Sequence, residues 1–239
     1  MPSLLEAAQD LLFPPLCLGC QQPLAASRPP LLCTACNGRL DIIRSPRCLC
    51  CGTPFIAGAD HLCGDCLAGH HAFDLSRSLL SYRPPASDLI RSLKFGGDLS
   101  CIATWQALIV REGLLEDFAE PDIVVPVPLH TQRLRQRGFN QALVIAKGCL
   151  PGWRKKIAAG LLVRHCPTRP QSELSGKERR ANLKNVFSLT DAGQVAGAKV
   201  LLVDDVYTTG STVDECSKTL RRAGAKRIEV FTLARSLGR

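Results

Sequence analysis

Two groups of residues in this chain have types and spacings that do chemistry. The first is a set of thiols. Cys17-x2-Cys20 is followed after twelve residues by Cys33-x2-Cys36, and Cys48-x2-Cys51 is followed after eleven by Cys63-x2-Cys66. A Cys-x2-Cys turn presents two thiolates to one metal, and two turns complete a tetrahedron. Two nearly identical four-thiolate sets form an internal repeat and predict two structural zinc sites. Four thiolates leave no open position, which excludes catalytic zinc. The ligand type is read as favouring zinc over iron. The spacing leaves the grouping open between a sequential assignment and one that pairs the first and third turns. Cys50, between Cys48 and Cys51, can stand in for either. Gly52 and Gly64 suit tight backbone, and the scattered Cys101, Cys149, Cys166 and Cys216 read as packing residues.

The second group is "VLLVDDVYTTGST", Val200 to Thr212. An apolar run meets Asp204 and Asp205 and then a loop of hydroxyl residues around Gly210, with a helix predicted from Ser211. Backbone N–H groups at a helix start bind phosphate. Carboxylates accept hydrogen bonds from vicinal hydroxyls. Together they predict a ribose phosphate, with the acids on the sugar and the loop on the phosphate. The competing structural reading is a pair of aspartates that caps the next helix. A phosphorylated receiver aspartate lacks its acidic cluster and strand-end lysine here. Neither G-x4-G-K-[ST] nor G-x-G-x-x-G occurs, which excludes those two phosphate loops.

These residues need a scaffold. The chain has 239 residues, 46% hydrophobic and 21% charged, enough for a main domain and a smaller one. Residues 1–70 are proline-rich with little apolar periodicity, so metal must supply much of their folding energy; we expect the domain boundary there, with residues 71–239 as the main domain. In the latter, strands are expected at Ser76–Arg83, Asp122–Pro128, Gly160–His165, Ala198–Asp205 and Arg227–Arg235. Helices are expected at Ala86–Phe95, Ile102–Leu115, Asn140–Cys149, Ser175–Asn185 and Ser211–Ala223. Such alternation implies an α/β fold, a parallel sheet with helices on both faces and ligands at the carboxyl ends of the strands. No apolar run approaches the roughly 20 residues that span a membrane. The opening stretch, with Glu6 and Asp10, reads as an amphipathic helix rather than an export signal, and a cytoplasmic protein is expected.

The net charge of +9 is uneven: His130–Phe187 holds thirteen Lys and Arg against two acids, so that segment alone carries +11. A concentrated basic region suits a nucleotide or a nucleic acid; a solvated basic face is the bland alternative.

At this point the residues resemble a known family. "VLLVDDVYTTGST" is similar to the phosphoribosyl pyrophosphate motif of type I phosphoribosyltransferases. With "LIRSLKFGGD", "PVPLHTQRLRQRGFNQA", "RPQSELSGKERRANLKNVF" and the double cysteine ribbon ahead of them, the chain resembles the ComF/GntX family, linked to DNA uptake and utilisation. The resemblance implies that Asp204 and Asp205 hold ribose hydroxyls. It implies that Val206, Tyr207, Thr208, Thr209, Gly210, Ser211 and Thr212 bind the ribose phosphate. Pro128, Leu129 and His130 would form the pyrophosphate loop, with Arg133, Arg135 and Arg137 neutralising charge and Gly138–Gln141 shaping the pocket. Thr168–Arg180 would cover the site, with Gln171, Lys177, Arg179 and Arg180 as contacts. Magnesium would bridge the pyrophosphate. Many nucleobase phosphoribosyltransferases carry an acid where Thr208 stands; threonine is a poor proton acceptor, which counts against purine salvage.

Three functions follow from the resemblance and the charge. One is a DNA-uptake protein that binds phosphoribosyl pyrophosphate and single-stranded DNA. Few aromatics are available for stacking on bases: Tyr82, Phe139, Trp153, Phe187 and Tyr207. The second is an active phosphoribosyltransferase of nucleotide metabolism. The third is a non-catalytic adaptor whose ribbons dock a DNA-uptake helicase or channel protein.

Overall fold

The computed structural model describes residues 14–25, 29–96, 99–165 and 186–237. The expected N-terminal helix, the helix at Ser175–Asn185, the covering segment Thr168–Arg180 and Cys166 lie outside them.

Four strands make one parallel sheet: β1 (Leu75–Ser81), β2 (Ile123–Pro126), β5 (Lys199–Tyr207) and β6 (Arg227–Arg235), in the order β1-β6-β5-β2. The central strand β5 has no polar alternation over Val200–Val203 because both its faces are covered. Leu201 and Val203 enter one core with α3 (Ala86–Arg91), α4 (Cys101–Arg111) and α6 (Gln141–Cys149). Val200 and Leu202 enter a second core with Val213, Cys216 and Leu220 of α7 (Ser211–Arg222). Fully buried side chains such as Trp105, Leu108 and Phe231 each contribute about 1.5–3 kcal/mol. The sheet with helices on both faces is therefore the expected one.

Strand β2 lies at the sheet edge, and Pro126, like Val124, turns its backbone away from β5, so the missing N–H costs the ladder no bond. β5 runs on past it, and Val127 N–H makes a last bond to Val203 O at 2.9 Å. The carboxylates that follow Val203 thus face a gap beside the end of β2.

Two expectations are corrected, and one segment without an expected element gains one. The strand at Gly160–His165 shrinks to β3 (Leu162–Arg164) and leaves the parallel sheet, pairing antiparallel with β4 (Phe187–Leu189). The helix at Ala86–Phe95 changes character after Arg91, continuing as a π-helical turn over Ser92–Gly96. The segment after Pro128 is a helix, α5 (Thr131–Arg137), between a His130 N-cap and a left-handed Gly138.

The cysteine segment is built as a repeat. In the first unit Gln21 N–H bonds Cys17 O and Cys17 N–H bonds Gln22 O; in the second, Gly52 N–H bonds Cys48 O and Cys48 N–H bonds Thr53 O. Each unit ends in a short helix, α1 (Thr34–Gly38) or α2 (Gly64–Leu67), whose N-cap is a cysteine. The units straddle the sheet edge: Cys17 and Cys36 lie in the first core, Cys48 and Cys51 in the second. The linking residues run along β1, with Ile42 bridged to Leu80 and Ile43 N–H bonded to Leu79 O at 3.0 Å.

Candidate functional site: a thiolate repeat beside a polar cleft

The grouping of thiols is sequential. Ligand atoms of Cys17, Cys20, Cys33 and Cys36 lie within 4.8 Å of one another, as do those of Cys48, Cys51, Cys63 and Cys66. Cys50 stays outside, its thiol directed to Phe73 O at 3.9 Å. Backbone N–H groups point at the sulfurs: Cys33 to Cys17 Sγ at 3.2 Å and Cys63 to Cys48 Sγ at 3.3 Å. Such donors stabilise thiolates, and four convergent sulfurs fit tetrahedral zinc. Cys101, Cys149 and Cys216 are buried, as packing residues are. Of the two glycines, Gly52 is constrained, with φ +72° and no room for a Cβ, which would lie 2.6 Å from Ser76 O; Gly64 carries no such constraint.

The cleft opens at the carboxyl ends of β2 and β5, with a cavity of about 150 Å³. Its floor is Asp204 and Asp205. Asp205 Oδ2 pairs with Lys94 Nζ at 2.9 Å, and Asp205 N–H donates to Asp204 Oδ1 at 2.9 Å. Asp204 keeps part of its surface on the cavity. It sits deep enough, beside a second carboxylate, that burial and then Asp205 push its carboxyl up to about 7 against the pull of Lys94 and Arg164. The far wall is the loop into α7. Gly210 there has φ +75°, and a Cβ on it would stand 2.1 Å from Tyr207 Oη, so only glycine fits.

The near wall comes from α5. Arg133 and Arg137 are four residues apart and share one face, which lines the cavity. Arg137 Nη1 donates to Gln141 Oε1 at 3.1 Å, and Asn140 holds the next turn by donating to Val127 O and capping α6 at Ala142 N. Burial draws Arg137 and Arg164 below the usual guanidinium value, though both stay charged at neutral pH. Lys94, Arg133, Arg137 and Arg164 outnumber the two carboxylates in the lining, so the cleft suits an anion with hydroxyls.

The predicted residues divide. Asp204, Asp205, Val206, Tyr207, Thr208, Gly210, Thr212, Pro128, Leu129, Arg133 and Arg137 line this cavity, together with Asn140 and Gln141. Thr209 and Ser211 do not; their hydroxyls bond each other at 2.8 Å on the outer side of the loop. The ring of Tyr207 is buried beneath the loop. His130 turns its Nδ1 to Gln132 N–H as a cap, and Arg135 is exposed on the other face of α5. Gln171, Lys177, Arg179 and Arg180 lie outside the described residues. Sequence reasoning missed Lys94 and Arg164. Arg164 had a signal, an arginine inside an otherwise apolar strand. Lys94 had only its place in "LKFGGD", and no pattern announces that a π-helical turn aims it at Asp205.

A double zinc ribbon domain matches residues 8–67, and a phosphoribosyl transferase domain matches residues 145–239. Competence protein F of Haemophilus influenzae is 36% identical over 86% of this chain and 90% of its own. DNA utilization protein YhgH of Salmonella typhi is 36% identical over 95% of this chain and 100% of its own. Competence protein ComFC of Bacillus subtilis is 28% identical, covering 86% and 84%. Among solved structures, a glutamine phosphoribosylpyrophosphate amidotransferase from B. subtilis is 22% identical with a TM-score of 0.32, over 56% of this chain and 28% of that one. The double zinc ribbon, the phosphoribosyl transferase domain and relatives 36% identical along most of their length place the chain in the ComF family.

Proposed function

We propose that the cleft binds phosphoribosyl pyrophosphate with magnesium, and that the protein serves DNA uptake or utilisation in the cytoplasm; relatives named competence protein and DNA utilization protein support this reading. The observation that carries this reading is the convergence of Asp204 and Asp205, the Gly210 loop and the Arg133–Arg137 face of α5 on one cavity. The carboxyl oxygens of the two aspartates accept hydrogen bonds from ribose hydroxyls. The loop offers N–H groups at the start of α7 to the sugar's phosphate. The arginines offer forked donors to the pyrophosphate. Magnesium, when bound, neutralises charge on the pyrophosphate oxygens.

Lys94 has a further part. It pairs with Asp205, so ribose hydroxyls compete with it for the carboxylate. Released, it is a cation beside an anionic ligand.

Single-stranded DNA is the second ligand of this reading. Arg135, Arg154 and Lys155 of the basic segment are exposed outside the cleft and available to a phosphate backbone. Anisotropy of a labelled single-stranded oligonucleotide tests it: the account expects binding that weakens as salt rises, and no binding at low salt by protein that holds phosphoribosyl pyrophosphate removes the DNA half.

An alternative is turnover, transfer of the phosphoribosyl group to an acceptor base. The phosphoribosyl transferase domain favours it, while Thr208, which lines the cavity where an acid would serve as base, disfavours it. Release of pyrophosphate across a panel of bases separates transfer from binding. The adaptor role for a helicase or channel protein needs the full chain as bait, because Cys17, Cys36, Cys48 and Cys51 lie in the sheet's own cores.

A further inference from the structure

The second thiolate set is fastened to the sheet by two buried arginines. Arg77 of β1 donates to Cys48 O (3.3 Å), Cys50 O (3.4 Å) and Leu49 O (3.1 Å). Arg235, at the end of β6, takes the remaining carbonyl of that turn, Cys51 O, at 2.7 Å, and reaches Thr53 Oγ1 at 2.6 Å and Cys51 Sγ at 3.7 Å. No comparable arginine holds the first set among the bonds of the described residues.

Arg235 has a second engagement. Its guanidinium carbon lies 4.1 Å from the centre of the Tyr207 ring. The two residues are direct partners in the β5–β6 register, and Ser236 N–H bonds Tyr207 O at 2.8 Å. Tyr207 is buried, with its hydroxyl beneath Gly210, the residue that opens α7. One guanidinium therefore touches the thiolate turn on one side and, through one ring, supports the loop on the other. A planar cation suits this place, since it stacks on an aromatic face while its edge donates to carbonyls.

We propose that Arg235 is a positioning residue that joins the second metal-binding ribbon to the ribose-phosphate loop, so that the order of that ribbon sets the shape and affinity of the cleft. The proposal rests on the reading of residues 206–212 as the phosphate loop. It makes the second ribbon part of the cleft's supporting structure.

The test compares wild type, Arg235→Met and Arg235→Lys as full-length, zinc-loaded proteins. It measures zinc content, hydrogen exchange of residues 206–214, and calorimetric affinity for phosphoribosyl pyrophosphate with magnesium. Loss of the stacked cation is expected to speed exchange in 206–214 and weaken the ligand about tenfold. Lysine, which keeps a cation over the ring but not the fork, is expected to restore part of both. Should Arg235→Met shed its second zinc, the lysine variant that retains it carries the comparison. Loop exchange and affinity equal to wild type in either zinc-retaining variant overturn the proposal. If wild type binds no phosphoribosyl pyrophosphate, the reading of the cleft fails, and the exchange of 206–214 alone decides whether Arg235 supports the loop.

Discussion

The two cysteine ribbons are nearly the same object put to different use. Both fold a Cys-x2-Cys turn closed by a backbone bond from the residue that follows, and both aim a backbone N–H at the first sulfur. The residue after the second cysteine is left-handed in each: Gln21 at φ +62° and Gly52 at φ +72°. The first unit tolerates glutamine there because that position is exposed. The second requires glycine because the backbone of Ser76 is in the way. One repeat packs beside α3 and α4, away from the cleft; the other is docked on β1 and β6 and abuts the loop into α7. Ligand spacing specifies a metal site, and the surface it is pressed against decides what else the site does.

The largest expected effect breaks this comparison directly. Cys33→Ser and Cys63→Ser should each cost one zinc by metal analysis. The second should also weaken phosphoribosyl pyrophosphate at least about 100-fold, since the bound metal supplies that ribbon's folding energy. The first should leave affinity within about threefold, because its buried cysteines pack in the core with α3 and α4, away from the loop into α7. Equal losses would mean that the two units support the cleft alike.

Next in size is the docking contact. Gly52→Ala should lower stability by about 3 kcal/mol, combining a left-handed backbone with overlap on Ser76 O. Gln21→Ala, at the matching place, should be close to neutral in urea unfolding, one strained non-glycine residue replacing another.

A third experiment concerns the cleft that the second ribbon borders. Asp204 has its carboxyl pushed up to about 7 in the folded protein, against about 3.9 in an unfolded chain. The folded state therefore binds the extra proton between these values, and stability falls as pH rises through that window. Asp204→Asn, which cannot ionise, should gain on wild type by about 2 kcal/mol between pH 5 and 8. A difference that stays flat with pH would show Asp204 to be ionised throughout.

The smallest effect sharpens the comparison from the other side. Gln21→Gly relieves a left-handed side chain and should stabilise the first ribbon by about 1 kcal/mol, read as a higher thermal midpoint.

Much of this was legible beforehand, for physical reasons that differ by element. β6 is rich in apolar and β-branched residues (Ile228, Val230, Phe231, Thr232, Leu233) between two arginines, and the expected bounds Arg227–Arg235 are the observed ones. β5 was recognised by its lack of alternation, because both faces are covered. Helix α5 was missed because "TQRLRQR" offers one apolar residue and no stripe; its start and stop come from His130 and Gly138. The consequence was functional: without the helix, Arg133, Arg135 and Arg137 looked equivalent, whereas its geometry sends Arg135 outward. β3 and β4 have three residues each, too few for a period to show, and their pairing is set by distant chain. The thiolate sets were read from spacing alone. The bond between Lys94 and Asp205 and the strut at Arg235 are tertiary, and no local pattern carries them.

The central claim is that the twin aspartates and the loop after them form a ribose-phosphate site. Calorimetric titration of phosphoribosyl pyrophosphate with magnesium, on zinc-loaded wild type and on the double variant Asp204→Asn/Asp205→Asn, tests it most directly. The account predicts saturable binding by wild type and none by the folded double variant. Wild type that is folded, holds two zinc ions and still gives no binding heat would contradict it.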